Sequence, residues 1–342
     1  MGALPAFWKS DLPALEGLCR DVRRGRVETI GASAGGRPVR CIGYGDPEPV
    51  ASRANYGSAC GAHDRNAYVD AGGRKPVVIL VGGIHGQETE GVAALLNLIA
   101  LMETGVDLAE RENPPLLEAA RSVRLLLVPV ANPDGRARVT PDSMVGFQRK
   151  ELEYWGQGTW KDGSLCKWPD CKKVHPIRDA VDFLGGYFND DGVNLMHDQF
   201  FHPMAAETQA LLDLAVREFA DCILLLHGGS NSVNDLLPTA YVPLEVSQAI
   251  HRLATRCNLA AQEKGLAFNV REPPEREQGD TPPSFNLTSA LHHACGAVCA
   301  VFESNECLID QPGPHFTHEQ IYLSHAILFE QTFRHFREHL RG

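Results

Sequence analysis

The chain has 342 residues, 44% of them hydrophobic and 22% charged, ordinary proportions for a soluble globular protein. Its formal net charge of -11 argues against nucleic acid or an anionic membrane as partner, because phosphates would be repelled on average. The opening MGALPAFWKSDLPALEGLCRD has early acidic residues and no unbroken apolar run, so it reads as neither signal peptide nor membrane span.

Residues 11–24 predict a first helix, and 26–31 and 38–45 predict two strands joined by the glycine-rich ASAGGR turn. Residues 46–75, rich in Gly, Pro, Asn and Asp, are expected to form a long surface loop. PVVILVGG (76–83) is a near-continuous β-branched run, the pattern of a strand buried on both faces. A helix over 88–103 follows, with Val92, Leu95, Leu96 and Ile99 at helical spacing. SVRLLLVPV (122–130), DCILLLHGG (221–229) and CGAVCAVFES (295–304) predict three more buried strands. Helices are expected at 205–219, 244–264 and about 317–340.

Buried strands alternating with helices imply an α/β fold with one sheet covered on both faces. Nothing marks a linker, so residues 1–342 are expected to form a single domain. Residues 139–188 stand apart: they are polar, hold Trp155, Trp160 and Trp168, and include Cys166 and Cys171. A segment that long inside a compact domain usually forms a rim or lid over a site. The ten cysteines are scattered, several of them inside apolar runs, as expected of free thiols in a cytoplasmic protein.

Three of the apolar strands end in ionisable groups. The first runs into Gly82-Gly83-Ile84-His85-Gly86-Gln87-Glu88, another ends at His227 and the last at Glu303. Ligands of open α/β sheets bind at the carboxyl ends of the strands. His85 and Glu88, three residues apart at a strand-to-helix turn, can face one point, and a histidine from a distant strand completes a His-Glu-His set. Two neutral imidazoles and one carboxylate suit one zinc ion and leave its fourth position for water. Glu303 is then the candidate general base.

With these groups in view, the sequence resembles the carboxypeptidase A-like metallocarboxypeptidases as a divergent member, from about residue 30 to residue 303. Ile30-Gly31-Ala32-Ser33-Ala34-Gly35-Gly36-Arg37-Pro38 resembles the family's opening turn. His85-Gly86-Gln87-Glu88 resembles its His-x-x-Glu segment, and Asn132-Pro133-Asp134-Gly135 the stretch after its next strand. Gly192-Val193-Asn194-Leu195-Met196-His197-Asp198 stands where the family has Gly-Val-Asp-x-Asn-Arg-Asn, and Glu207-Thr208, His227 and Glu303 follow in family order.

The resemblance implies a mixed, mostly parallel twisted sheet between helices, with His85, Glu88 and His227 as zinc ligands and Glu303 as base. It also implies Arg138 as oxyanion partner. Met196 and His197 replace the Asn-Arg pair that reads a substrate's terminal carboxylate. Methionine donates no hydrogen bond, and histidine lacks the bidentate guanidinium fork. Either the substrate lacks a free carboxylate, or another cation such as Arg136 or Arg149 replaces the missing arginine. Asn194 stands in place of the aspartate that orients a ligand histidine, and its amide oxygen can still accept that N–H. The family's tyrosine near the reacting bond has no clear match, and the nearby Phe285 carries no hydroxyl.

The expected function is zinc-dependent hydrolysis of a peptide or peptide-like amide bond, with a peptide or small amide as substrate. A zinc amidase or deacylase, and an inactive binding protein of the same fold, are the alternatives. Gly31-Ala32-Ser33-Ala34-Gly35 matches the serine-hydrolase elbow literally, but the following Gly36-Arg37-Pro38 and strand favour a hairpin turn over the required strand–turn–helix. Cys166, Cys171 and His175, with Cys60 and His63 elsewhere, fit no standard zinc module. Asn286-Leu287-Thr288 fits a glycosylation acceptor only in a secreted chain.

Overall fold

All five residues of the 77–81 run are buried, as a strand in the middle of a sheet requires. Along the chain the strands are β1 (Arg26–Ala32), β2 (Pro38–Tyr44), β3 (Val77–Val81), β4 (Arg124–Val128) and β5 (Gly158–Trp160). They continue as β6 (Val181–Leu184), β7 (Cys222–Gly228), β8 (Asn234–Leu237), β9 (Phe268–Asn269) and β10 (Val298–Ser304). The structure is a computed structural model and describes residues 3–51, 54–69, 74–229, 231, 233–272 and 283–338.

Eight strands form one sheet in the order β1-β2-β4-β3-β7-β10-β8-β9, and β5 pairs with β6 separately. The central strands β4, β3, β7 and β10 run parallel. Antiparallel pairing joins β2 to β4, β1 to β2 and β8 to β10. Val78 and Leu80 face one core and Val77, Ile79 and Val81 the other, the period of two expected of a strand. Helices Glu90–Thr104, Pro114–Arg121, Leu244–Gln262 and His318–Glu338 contribute to the first core. Helices Tyr56–Gly61, Ala206–Arg217 and Leu287–Cys295 contribute to the second. This is an α/β fold with a large mixed sheet flanked by helices. Among the described residues no helix is long and apolar enough to cross a membrane.

Two expected loops are more ordered than their composition implies. Within 46–75 the helix Tyr56–Gly61 is capped by Asn55, whose side chain accepts the Ser58 N–H. Tyr56 and Tyr68 are buried and meet edge to face, so two aromatic anchors outweigh the surrounding turn residues. Part of that segment, 52–53 and 70–73, lies outside the described residues, as do 339–340 of the expected last helix. Within 139–188 stand the helix Arg149–Gln157 and the β5–β6 pair, built over a small separate core of Cys166, Cys171, Ile177, Val181 and Phe188. Helices Pro114–Arg121 and Leu287–Cys295 and the short outer strands β8 and β9 were not expected from periodicity; eight or nine residues, or fewer, give it little to work on.

Candidate metal centre

From β3 the chain continues to β4 on one side, while β7 lies on the other. That reversal opens a crevice beyond the carboxyl ends of the strands. His85 and Glu88 stand in the turn between β3 and the helix Glu90–Thr104, and His227 is the penultimate residue of β7. Glu303 pairs in register with His227 across β7 and β10. Sheet order therefore carries residues 218 positions or fewer apart in sequence to one place.

Backbone packing holds the turn. The Gly86 N–H donates to the Gly186 carbonyl at 2.7 Å. A Cβ on Gly86 would lie 2.1 Å from the Gly135 carbonyl carbon, so only glycine allows this approach. The Asn132 side chain donates to Ile84 O at 3.3 Å and accepts the Gly135 N–H at 2.9 Å. Asp134 accepts Ser33 Oγ at 2.6 Å and the Gly35 N–H at 2.8 Å, and it pairs with Arg37. The glycine-rich turn, the Asn132–Gly135 segment and the loop at 186–190 thus act as one clamp on the His85–Glu88 turn. Ser33 is a structural hydroxyl in the turn between β1 and β2, not a nucleophile at a strand–helix junction.

Inside the clamp, the ligand atoms of His85, Glu88 and His227 all lie within 4.8 Å of one another, and all three residues are buried. His85 Nδ1 stands 2.7 Å from Glu88 Oε1, and His227 Nδ1 stands 2.7 Å from Glu88 Oε2. Each imidazole thus presents Nδ1 to its own oxygen of one carboxylate. Asn194 Oδ1 lies 3.2 Å from His85 Nε2 and accepts its proton, which leaves the Nδ1 lone pair facing the cluster. Burial alone would raise Glu88, but the two imidazoles overcome it and hold the carboxyl down to about 2. Burial lowers His85; at His227 burial acts the same way, but Glu88 outweighs it and the net shift is upward. A buried carboxylate between two inward-facing imidazole nitrogens fits a zinc ion in donor type and number.

Tyr187 stacks flat on His85, with ring centroids 3.7 Å apart and planes 4° apart. Burial first, then Glu88, Glu303 and Glu306, push its phenol well above the ordinary range, so it keeps its proton. Glu303 is raised to about 7, chiefly by burial, with Glu88 and Asp235 adding to the rise and His227 and Lys172 opposing it. Its carboxyl lies over Gly229, where a Cβ would fall 2.4 Å from Oε2.

The arginines lie elsewhere. Arg138, expected to face an oxyanion, donates from Nη1 to Gly185 O at 2.8 Å and Phe188 O at 3.1 Å, and from Nη2 to Asp190. It secures the loop that bears Tyr187. Arg136 is buried, donating to Ser10 O at 3.0 Å and Val139 O at 2.8 Å and pairing with Asp142. Arg149 pairs with Glu153 at 3.1 Å on its own helix. Hydrogen bonding thus commits all three to holding structure, which leaves them poor candidates for contacting a substrate. Met196 is buried in the second core, whereas His197 is only half-buried. Cys166 and Cys171 are buried free thiols, and among the described residues His85, Glu88 and His227 form the only group with metal-ligand spacing. Asn286 caps the helix Leu287–Cys295, accepting the Thr288 N–H at 3.1 Å. Tyr187 escaped the sequence reading, because nothing in a polar insert marks which residue folds back toward the sheet.

The zinc carboxypeptidase family profile matches residues 19–269. A metallo-carboxypeptidase from Burkholderia cenocepacia superposes with a TM-score of 0.56 at 16% identity, covering 94% of this chain and 67% of that one. One from Pseudomonas aeruginosa, in complex with (2-guanidinoethylmercapto)succinic acid, gives 0.57 at 14% identity, covering 96% and 68%. Carboxypeptidase A from Helicoverpa armigera gives 0.53 at 14%, covering 95% and 72%. No curated protein matches the sequence. These likenesses establish the fold, and the profile, spanning well over half of the chain, establishes that it belongs to the zinc carboxypeptidase family.

Proposed function

We propose that this protein hydrolyses a peptide or peptide-like amide bond, with one zinc ion held by His85, Glu88 and His227 and with Glu303 as general base. The observation that carries this is the convergence of three buried ligand atoms within 4.8 Å, with Glu303 in register beside His227. Zinc, when bound, supplies a Lewis acid that polarises the amide carbonyl and makes water acidic enough to deprotonate near neutrality. Glu303, poised near 7, takes the proton of the attacking water and delivers it to the leaving amine. Asn194 keeps the His85 Nδ1 lone pair directed inward, and Tyr187 fixes the plane of the same ring. Glu88 stays ionised because two imidazoles face it. The insert walls one side of the crevice, which favours a small molecule or a chain end over the middle of a polypeptide. Ten unpaired thiols support a reducing, cytoplasmic setting.

Metal content of the purified protein, of Glu88→Ala and of Glu303→Gln tests the assignment. The parent should hold one zinc per chain, and Glu88→Ala should lose it. Glu303→Gln should keep the metal while hydrolysis of acylated amino acids and short peptides falls roughly 10²–10⁴-fold. Zinc binding without turnover on any such amide would leave a binding protein of the same fold. Absence of zinc after reconstitution would end the proposal.

A further inference from the structure

The turn that bears His85 and Glu88 buries one amide that packing alone does not explain. Gln87 stands between the two residues in the chain and is 1% exposed. Its Nε2 donates to Glu88 Oε1 at 3.2 Å, whereas its own Oε1 is buried with no hydrogen-bond partner among the described residues. Turning the amide over would set its oxygen against the carboxylate, so the N–H end faces Glu88. A buried acceptor left unsatisfied costs stability, and methionine would fill nearly the same volume without that cost. An unsatisfied group held this deep calls for a reason other than packing.

Two glycines make room for this amide. A Cβ on Gly156 would lie 3.3 Å from both Cδ and Nε2 of Gln87, and one on Gly186 would lie 3.3 Å from its Oε1. Gly156 belongs to the helix Arg149–Gln157, where alanine would favour the helix more. Backbone thus closes on the amide from two sides and leaves it little room to swing away from Glu88. The hydrogen bond also separates the two carboxylate oxygens. Asn194 holds the His85 proton on Nε2, so the Nδ1 atom 2.7 Å from Oε1 brings a lone pair and no hydrogen. Gln87 supplies the hydrogen that Oε1 accepts. Oε2, 2.7 Å from His227 Nδ1, accepts no hydrogen bond among the described residues. One oxygen is tied down and the other is open.

We infer that Gln87 is a positioning residue of the metal centre: its N–H pins Glu88 Oε1, fixes the rotation of the carboxylate and leaves Oε2 to take the zinc. The inference rests on the ligand set proposed above and adds a residue that acts only through a ligand. Gln87 serves Glu88 as Asn194 serves His85, so each of these two ligands is oriented by one side-chain amide. The orphaned oxygen of Gln87 is the stability cost of keeping that N–H in place.

The test compares the parent with Gln87→Met in three measurements: urea midpoints of the metal-free proteins, zinc affinity by chelator competition, and visible spectra after loading with cobalt(II). A positioning role predicts effects of opposite sign. The metal-free variant should unfold at an equal or higher urea concentration, because the orphaned oxygen is gone. Its zinc affinity should fall roughly 10–100-fold, the range for losing a group that orients a ligand. Its cobalt bands should shift in position and intensity, since they report the geometry around the ion. A midpoint and an affinity that fall together, up to outright unfolding, would make Gln87 a packing residue and overturn the inference. Zinc affinity and cobalt bands equal to those of the parent would also overturn it, while leaving the ligand set standing. A parent that takes up no zinc would refute the ligand set itself, and this inference with it.

Discussion

The strand ends and the insert solve opposite problems. His85, Glu88 and His227 are 5%, 2% and 3% exposed and hang from adjacent strands whose register the sheet fixes. Lys172 and His175 are exposed and rest on a core of five buried residues that the sheet does not share. A buried carboxylate between two imidazoles tolerates little displacement, because removing one partner from a buried charged pair costs about 3–5 kcal/mol. The proposed metal ligands therefore sit where backbone and side chains are over-determined. The insert rests on a core of its own, so its residues can change without disturbing the proposed metal ligands.

Asn194 lies on the seam between the two regions, and its replacement tests the comparison most strongly. Asn194→Ala removes the acceptor for His85 Nε2 and should lower zinc affinity roughly 10–100-fold in chelator competition. Asn194→Asp should raise affinity, since a carboxylate holds the imidazole proton more firmly. An unchanged affinity in the alanine variant would mean that stacking by Tyr187 alone orients His85, and the insert would then be part of the metal centre.

A smaller effect is expected inside the insert. Ile177 is fully buried in the satellite core. Truncating a buried isoleucine to alanine costs about 2–5 kcal/mol where the whole structure depends on it. If the insert is a separate stability unit, Ile177→Ala should accelerate amide exchange across 158–188 and leave zinc content and sheet protection unchanged. Faster exchange in β3 and β7 as well would merge the two regions into one cooperative unit.

Sequence made the two regions unequally legible for the same reason. Runs such as 77–81 and 222–228 are buried on both faces and declare themselves as strands, and polar residues at their ends stand out. His85, Glu88, His227 and Glu303 could be picked out together because parallel neighbours bring their carboxyl ends to one edge. Arg138 could not be placed, since its role depends on carbonyls of a loop some 46–50 residues away. Tyr187 was hidden because it packs against the five-residue satellite core, which no periodicity marks. Tyr56 and Tyr68 were lost among turn residues, although tertiary contacts to each other and to His292 order them.

The mildest test asks which region sets acid sensitivity. His325 lies in the sheet region, fully buried, edge-on to Phe302 with centroids 5.1 Å apart. Its Nδ1 donates to Ile321 O at 2.9 Å, and Nε2 has no partner among the described residues. Burial pushes it down to about 4. The unfolded chain takes up that proton near 6.5, so the neutral histidine contributes stability that is complete above that pH and is lost as pH falls through about 4. Urea midpoints measured from pH 7 to pH 4 should fall less steeply in His325→Leu than in the parent, whatever the variant's absolute stability. Other titrating groups are common to both proteins, so the difference in slope isolates this histidine. In the insert, His175 is also lowered by burial but remains exposed, and His175→Gln should alter the slope less. A larger change from His175 than from His325 would place the acid-labile element in the insert and reverse the assignment of rigidity to the sheet.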